Sequence, residues 1–325
     1  MLVLLPPSET KRAGGDGPPL SLAALSFPEL DPLRKELVDE LVGLAANVPA
    51  SRAALGLSVR QDGEVVRNAA LWTSPTLPAR HRYTGVLYDA LDVGSLRGVA
   101  AGRAQQRVVV ASALFGLLRA TDPVPAYRLS ATSVLPGRPT LPARWRPLLD
   151  PLLAALSADE TVVDLRSGTY ATLGRAPVAV TVNVLAERPD GRRVVVSHAN
   201  KSVKGRVARA LAVTRAEPSD AAAVAAVVRR AGMRVERTGP THLDVVVPGW
   251  HLPNPSGARR QRRAGPRSAR YAPPETAAAI TDCVARVGRA RCAASSRSTG
   301  GEGRRCDMST AVRDVARTRP PTPPA

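Results

Sequence analysis

The chain has 325 residues, 44% of them apolar, which is length for one large domain or two ordinary ones and composition for a buried core. Its 46 basic residues outnumber 27 acidic ones, a formal charge of +19 that points to a polyanionic partner. The three cysteines (Cys283, Cys292, Cys306) make no CxxC pair and the four histidines are scattered, which excludes a zinc pattern and a disulfide framework. No cofactor is expected from such a residue set. The opening Met1 to Pro7 lacks the basic start of a secretion signal, and no apolar run approaches the roughly 18 residues of a membrane span. The expectation is a cytoplasmic, monomeric protein with no membrane contact.

The charge is unevenly spread. Residues 1–250 hold 31 basic and 22 acidic groups, and residues 251–325 hold 15 and 5. Only four of the basic residues are lysine: Lys11, Lys35, Lys201 and Lys204. The Arg, Ala, Val, Pro and Gly bias reads as a GC-rich coding sequence, so a lysine kept against it is more informative than an arginine.

In chain order, Leu2 to Leu5 reads as a short buried strand ended by Pro6-Pro7, and 8–19 as a polar loop. Leu33 to Ala46 is helical, with Leu33, Leu37, Leu41 and Leu44 on one face. Leu55-Gly56-Leu57-Ser58 breaks the pattern, and a second helix runs from Asp62 to Leu71. Thr84 to Leu91 starts another short helix. Arg107 to Ser112 is a strand bounded by a loop from Ala113, and 119–129 is loop. Trp145 to Ala155 is a helix; Thr161 to Leu165 and Val178 to Leu185 are strands. Arg193 to Ser197 pairs back through Pro189-Asp190-Gly191 as a hairpin. Helices follow at Lys204 to Val213 and Asp220 to Ala231, then a last strand at Leu243 to Val247. Alternating helices and apolar strands argue a mixed α/β domain over 1–250. Residues 251–325 have few large apolar side chains and read as a basic, disordered tail with at most a short helix at Ala277 to Ala285.

Five polar clusters each follow an apolar strand or open a helix, where ligand sites form in α/β folds. The first is Pro6-Pro7-Ser8-Glu9-Thr10-Lys11, with Ser8 and Lys11 as candidate contacts. The second, Arg82 to Tyr88, offers Tyr83 and Thr84. The third runs from Ser112 through Gly116, Arg119 and Asp122 to Tyr127 and Arg128, and its arginine forks suit phosphate. The fourth, Asp164 to Tyr170, contributes Ser167 and Tyr170. The fifth, Ser197 to Arg206, brings Lys201, Lys204 and Arg206 to the start of a helix, a place that attracts anions. Its spacing is not that of a Walker loop. Three of four lysines and four of five tyrosines fall in these clusters, which suggests one basic cleft. Each cluster also has a plain reading as a polar loop, a core tyrosine or an internal Arg–Asp pair.

Taken in order, MLVLLPPSETK, RYTGVLYDAL, SALFGLLRATDPVPAYRL, DLRSGTY and SHANKSVKGRVARAL resemble the YaaA peroxide-stress family in its actinobacterial form, over residues 1 to about 247. The resemblance implies a compact α/β fold with a positive cleft, DNA binding, and a part in surviving hydrogen peroxide by limiting free iron and the damage it causes. It also implies a helix–hairpin–helix element, whose counterpart here is the pair of helices around Leu55-Gly56-Leu57-Ser58. The better-known form reads SPAKT at the first motif, where this chain has Pro6-Pro7-Ser8-Glu9-Thr10 with Lys11 one step later. It reads Lys-Lys-Ala-Arg-Gly where this chain has Lys201-Ser202-Val203-Lys204-Gly205.

The leading expectation is a DNA-binding protein of oxidative-stress defence, with little sequence specificity. Lys201, Lys204, Arg206, Arg119 and Arg128 would meet phosphate, with a log–log salt slope of about −3 to −4. The alternative is an enzyme acting on a nucleobase, nucleotide or other small anion, with Tyr83, Asp164 and Lys201 as acid/base groups. A third reading, a structural or interaction protein, has the clusters dispersed. No set of residues has iron-ligand spacing, so any effect on iron is indirect.

Overall fold

The first residues of the chain form the middle of the sheet. The structure is a computed structural model that describes residues 1–195 and 198–248. Strand β1 (Leu2–Leu5) is followed by the short β2 (Gly17–Pro19) and by helices α1 (Asp31–Leu44), α2 (Val48–Leu55) and α3 (Asp62–Ala69). Next come β3 (Pro75–Pro78), α4 (Ala79–Arg82), α5 (Val86–Leu91) and α6 (Gly98–Arg107). Strands β4 (Val108–Ser112), β5 (Gly116–Arg119) and β6 (Pro123–Val124) lead to the long α7 (Leu141–Asp159), then β7 (Val162–Asp164) and the single turn α8 (Gly168–Ala171). The hairpin β8 (Val180–Glu187) and β9 (Arg193–Val195) precedes α9 (His198–Val213), α10 (Ala221–Arg230), β10 (Arg234–Arg237) and β11 (His242–Pro248).

One eight-stranded sheet runs in the order β10-β11-β8-β7-β1-β4-β5, with β9 beside β8. The inner strands β11, β8, β7, β1 and β4 are parallel. The outer β5 and β10 are antiparallel to their neighbours. A small second sheet joins β2, β3 and β6. The mixed α/β reading thus holds, with a central mixed sheet and helices around it. The sequence explains which strands lie innermost. Every residue of β1 and of β4 is buried, as expected of apolar runs covered on both faces. Strand β8 instead alternates, burying Val180, Val182, Val184 and Ala186.

Several elements depart from the sequence reading, for local reasons. Helix α2 occupies residues to which the sequence reading gave no element; proline suits the first helical turn, and the Asn47 side chain accepts the Ala50 N–H at 3.0 Å. The pair of helices expected around Leu55-Gly56-Leu57-Ser58 was Leu33 to Ala46 and Asp62 to Leu71; here α2 precedes the turn at Gly56 (φ 62°) instead, and Arg52 Nε bonds Asp62 of α3 at 2.7 Å. Helix α6 was missed, because Gly98-Val99-Ala100-Ala101-Gly102 lacks a stripe of large apolar residues. The 8–19 and 119–129 loops contain the strands β2 and β6, each three residues or fewer and proline-bearing. Strand β5 stands inside what read as loop after Ala113, and β10 was also missed. Helix α9 starts at His198, six residues before the expected Lys204. The expected strand end at Ser197, the tail from 251 and the helix at Ala277 to Ala285 lie outside the described residues.

The β4–β5 hairpin turns on Gly116, whose φ of 69° favours glycine. A Cβ there would stand 2.8 Å from the ring of Trp145, which is itself anchored by its indole N–H to the Ala113 carbonyl at 2.8 Å. Gly116→Ala therefore combines backbone strain with overpacking and is expected to destabilise the domain by about 2–4 kcal/mol. A urea midpoint within error of wild type would refute this account of the turn.

Candidate functional site

The sheet order creates the site. From β1 the chain proceeds to β4 on one side; from β7, the other neighbour of β1, it proceeds to β8 on the far side. Connections that diverge beyond the carboxyl ends of two adjacent parallel strands leave a crevice between them. A cleft of about 620 Å³ lies there. Its walls come from the loop after β1 (Pro6 to Thr10), the segment opening α5 (Thr84 to Tyr88), Ser130 to Thr132, the loop after β7 (Leu165, Ser167, Thr169, Tyr170), and the start of α9 (Asn200, Lys201, Lys204).

Hydroxyl bonds stitch the walls together. Ser8 Oγ accepts the Thr84 N–H at 3.0 Å, and Thr84 Oγ1 donates to the Thr10 carbonyl at 3.2 Å. Gly85, at φ 92°, turns the chain into α5, where Tyr88 donates its hydroxyl to the Pro6 carbonyl at 2.8 Å. Helix α9 packs so closely on α5 that a Cβ on Gly205 would lie 2.3 Å from the Leu87 carbonyl oxygen. This explains the glycine next to Lys204 by packing rather than by ligand contact. The close approach lets Lys204 Nζ reach across to the Leu165 and Arg166 carbonyls, each at 3.2 Å. Burial pushes the Lys204 amine below its ordinary value, and the nearby Asp164 carboxylate opposes that shift. Lys201, three residues earlier on the same helix face, is exposed and lines the cleft. The buried Oδ1 of Asn200 has no partner among the described residues.

Behind the walls lies a buried polar chain. Ser112 Oγ, at the end of β4, accepts the N–H groups of Leu114 and Phe115 at 3.2 and 3.0 Å. With both lone pairs taken, its proton goes to the Tyr127 hydroxyl 2.7 Å away, and the Tyr127 proton goes to Tyr83 at 2.9 Å. Burial raises the pKa of both phenols, so both stay protonated donors. Tyr170, at the cleft, is pushed up to about 12 by burial. Lys11 closes the chain: its Nζ donates to the Ser8 and Glu9 carbonyls at 2.9 and 3.3 Å and sits 4.1 Å from the centroid of the Tyr127 ring. Those partners suit an ammonium with three N–H groups. Burial, then the neighbouring Arg128, push the amine down to about 7, with Glu64 and Glu9 opposing. Arg128 pairs with Glu9 at 3.0 Å, and Asn68 grips its backbone through both amide atoms at 2.8 and 2.9 Å.

The candidates from sequence therefore divide. Ser8, Thr84, Ser167, Tyr170, Lys201 and Lys204 line the cleft. Lys11, Tyr83, Ser112, Tyr127 and Arg128 form the layer connected to it. Arg119 does not join them: it pairs in register with Val109, near the start of β4, and donates to the Gln106 carbonyl at 2.8 Å, at the opposite end of the sheet. Arg206 is exposed on α9 and does not line the cleft. Asp164 lies beside the cleft and is engaged by Arg166, Nε and Nη2 bonding it at 2.9 and 2.7 Å. Tyr83, the other proposed acid/base group, faces Tyr127 from a position 2% exposed. Sequence reasoning passed over Asn200, Thr169, Ser130 and Thr132. The first two stood inside quoted motifs, and only the length of the helix from His198 marks Asn200 as facing the cleft. Among the described residues, no group of three or more His, Cys, Asp or Glu could hold a metal ion.

A sequence profile of the family described as "Peroxide stress protein YaaA" matches residues 1–236. The chain belongs to the YaaA peroxide stress protein family. It is 47% identical over 240 residues to the UPF0246 protein CE1889 of Corynebacterium efficiens, covering 73% of this chain and 95% of that one. It is 44% identical over 250 residues to the UPF0246 protein Cgl1995/cg2186 of Corynebacterium glutamicum, covering 76% and 98%. The UPF0246 protein SCO2297 of Streptomyces coelicolor is 42% identical over 263 residues, covering 77% and 100%. In this YaaA-family chain the profile spans every element that lines the cleft.

The Lys11 site gives a test by pH. Its amine is held at about 7 in the fold against 10.5 unfolded, so between those values the unfolded chain binds the proton and the native chain does not. Stability contributed by Lys11 therefore rises with pH through that window. Urea midpoints of wild type should climb relative to Lys11→Met from about pH 7 to about 10. Parallel curves for the two proteins would remove Lys11 from the account.

Proposed function

We propose that this protein serves the response to peroxide by binding DNA through the switch-point cleft in the cytoplasm, and so helps limit iron-dependent oxidative damage. The observation that carries the reading is the pairing of Lys201 and Lys204 on one face of α9 with the hydroxyl-rich loops of β1 and β7. Amines and hydroxyls at that density suit phosphate and sugar, and they carry no means of reading a base sequence. The family description supplies the physiological context. Among the described residues, no helix is long and apolar enough to cross a membrane.

The expected salt dependence is smaller than the sequence implied. Arg119 and Arg206 lie away from the cleft and Arg128 is paired with Glu9, which leaves Lys201 and Lys204 as the main phosphate contacts. A chain ended at residue 250 should bind duplex or single-stranded DNA with a log–log salt slope of about −2, falling to about −1 in Lys201→Ala or Lys204→Ala. Arg119→Ala should leave the slope unchanged. Absence of any DNA affinity at low salt in that shortened chain would end this reading. The full chain alone is a poor test, since residues 251–325, read from sequence as a separate basic tail, bring their own net positive charge.

One observation favours a second reading, an enzyme acting on a nucleotide or other small anion. The Lys11 amine, close to 7, stands against Tyr127 of the buried hydroxyl chain, directly behind the cleft wall. Backbone binding does not require a titrating amine at that place. This reading expects turnover of a small anionic substrate that is lost in Lys11→Met and Tyr127→Phe while DNA affinity is kept.

A further inference from the structure

Away from the cleft, the segment Arg80-His81 of α4 and Arg97 before α6 bound a hollow of about 220 Å³, with Gln105 and Ala120 on its other sides. Arg80 donates its backbone N–H to the Ala120 carbonyl at 2.9 Å, just past the end of β5. That places the hollow toward the end of the sheet opposite Ser112 and the cleft. The Arg80 Nε donates to His81 Nε2 at 3.1 Å. The imidazole is therefore an acceptor at Nε2, and its proton sits on Nδ1 as a further donor. Arg97 Nη1 is fixed by the Leu96 carbonyl at 2.8 Å and by the Gly94 carbonyl. Each guanidinium is thus held along one edge, with its remaining N–H groups unspent.

No carboxylate balances them. Arg12, Arg80 and Arg97 make no ion pair among the described residues, whereas Arg34, Arg52, Arg107 and Arg144 all do. The charged groups felt by His81 are Arg80 and Arg12, both disfavouring its cation along with burial. Asp92, in the loop leading to Arg97, is engaged by Arg209 at 3.5 Å. Guanidiniums grouped without a counter-charge repel one another, and their forks match a tetrahedral oxyanion.

We infer that the hollow between Arg80, His81 and Arg97 is a binding site for a phosphate-type oxyanion, separate from the cleft and not dependent on the DNA reading. The ligand is a phosphate, met either as free phosphate or ester, or as part of a nucleic-acid backbone. An anion seated there would offset the two arginines and accept from their spare N–H groups and from His81 Nδ1–H.

The probe is inorganic phosphate added to the full-length protein, read by NMR at the ring C–H signals of the four histidines, with His81 assigned by His81→Gln. Saturable movement of the His81 signal is expected with phosphate, and not with chloride at equal ionic strength. Arg97→Gln, a change at an exposed side chain, should weaken the effect about tenfold, and Lys201→Ala should leave it intact. A short duplex is the second arm. If it displaces phosphate from His81, the ligand is a nucleic-acid phosphate; if it binds without doing so, the ligand is free or esterified phosphate. No phosphate response beyond that of chloride, or a response unchanged in Arg97→Gln, overturns the inference. Loss of DNA binding in Lys201→Ala with the His81 response retained shows the two sites to be independent.

Discussion

The placement of β1 governs the rest of the molecule. Its four residues are buried on both faces, at 0–1% exposure, so it can only be an inner strand. With β4 and β7 parallel on either side, chain connections must leave the carboxyl ends of β1 and β7 in opposite directions. No backbone crosses the space between them. The loop carrying Ser8 to Lys11 and the loop carrying Ser167 to Tyr170 are thereby made neighbours, although they are about half the chain apart in sequence. Hydrophobic burial in a four-residue strand is what brings these polar groups together, and no interaction among the polar groups themselves is needed to explain it.

The arginine content shows how a charge count misleads. Much of the basic excess is spent inside the fold. Arg82 is fully buried and bonds the carbonyls of Val124, Pro75 and Arg12 without any carboxylate. Burial holds its pKa down to about 10. Arg34 binds the Phe115 and Leu117 carbonyls at 2.9 and 2.7 Å, and Arg107 binds those of Leu211 and Thr214 at 2.9 and 2.7 Å. Such side chains satisfy carbonyls of short strands, a helix's last turn and the turns beside them. A net charge read as a surface for polyanions counts them all the same. Subtracting them leaves fewer cations for a ligand, among them Lys201 in the cleft, Arg80 and Arg97 beside His81, and Arg12 near it.

Legibility followed the physics of each element. Long apolar runs and periodic helices announced themselves: Leu2–Leu5, the strand at Val108, the helix at Asp62 and the strand ending near Val247 all stand close to where the pattern put them. Helix α6 did not, because it is held by packing of small residues that leave no hydrophobic stripe. The clusters after β1 and β7 were legible as parts of one site because parallel strands end on the same edge. The third cluster was only half legible. Strand β5 runs antiparallel, so seven residues separate Ser112, at the cleft end, from Arg119, at the other end. Proximity in sequence there implies distance in space, and only the strand direction, hidden in Gly116-Leu117-Leu118-Arg119, decides it.

The lysines make the strongest link between sequence and site. In a chain that uses arginine almost everywhere, the one lysine outside the clusters, Lys35, is exposed on α1 beside Asp39. Lys201 and Lys204 line the cleft, and Lys11 stands behind its wall. Lys204 meets the consecutive carbonyls of Leu165 and Arg166 at equal distances of 3.2 Å. Lys11 fits between two carbonyls and the face of Tyr127, within a gap set by a one-residue bridge between Lys11 and Tyr83. A guanidinium there would not titrate near neutrality. Lys201 has no such structural work among the described residues, so steric need does not account for its identity. It stands on the same helix face as Lys204 and opens to the cleft. Of the three, Lys201 is the one whose chemistry is left for a ligand to explain.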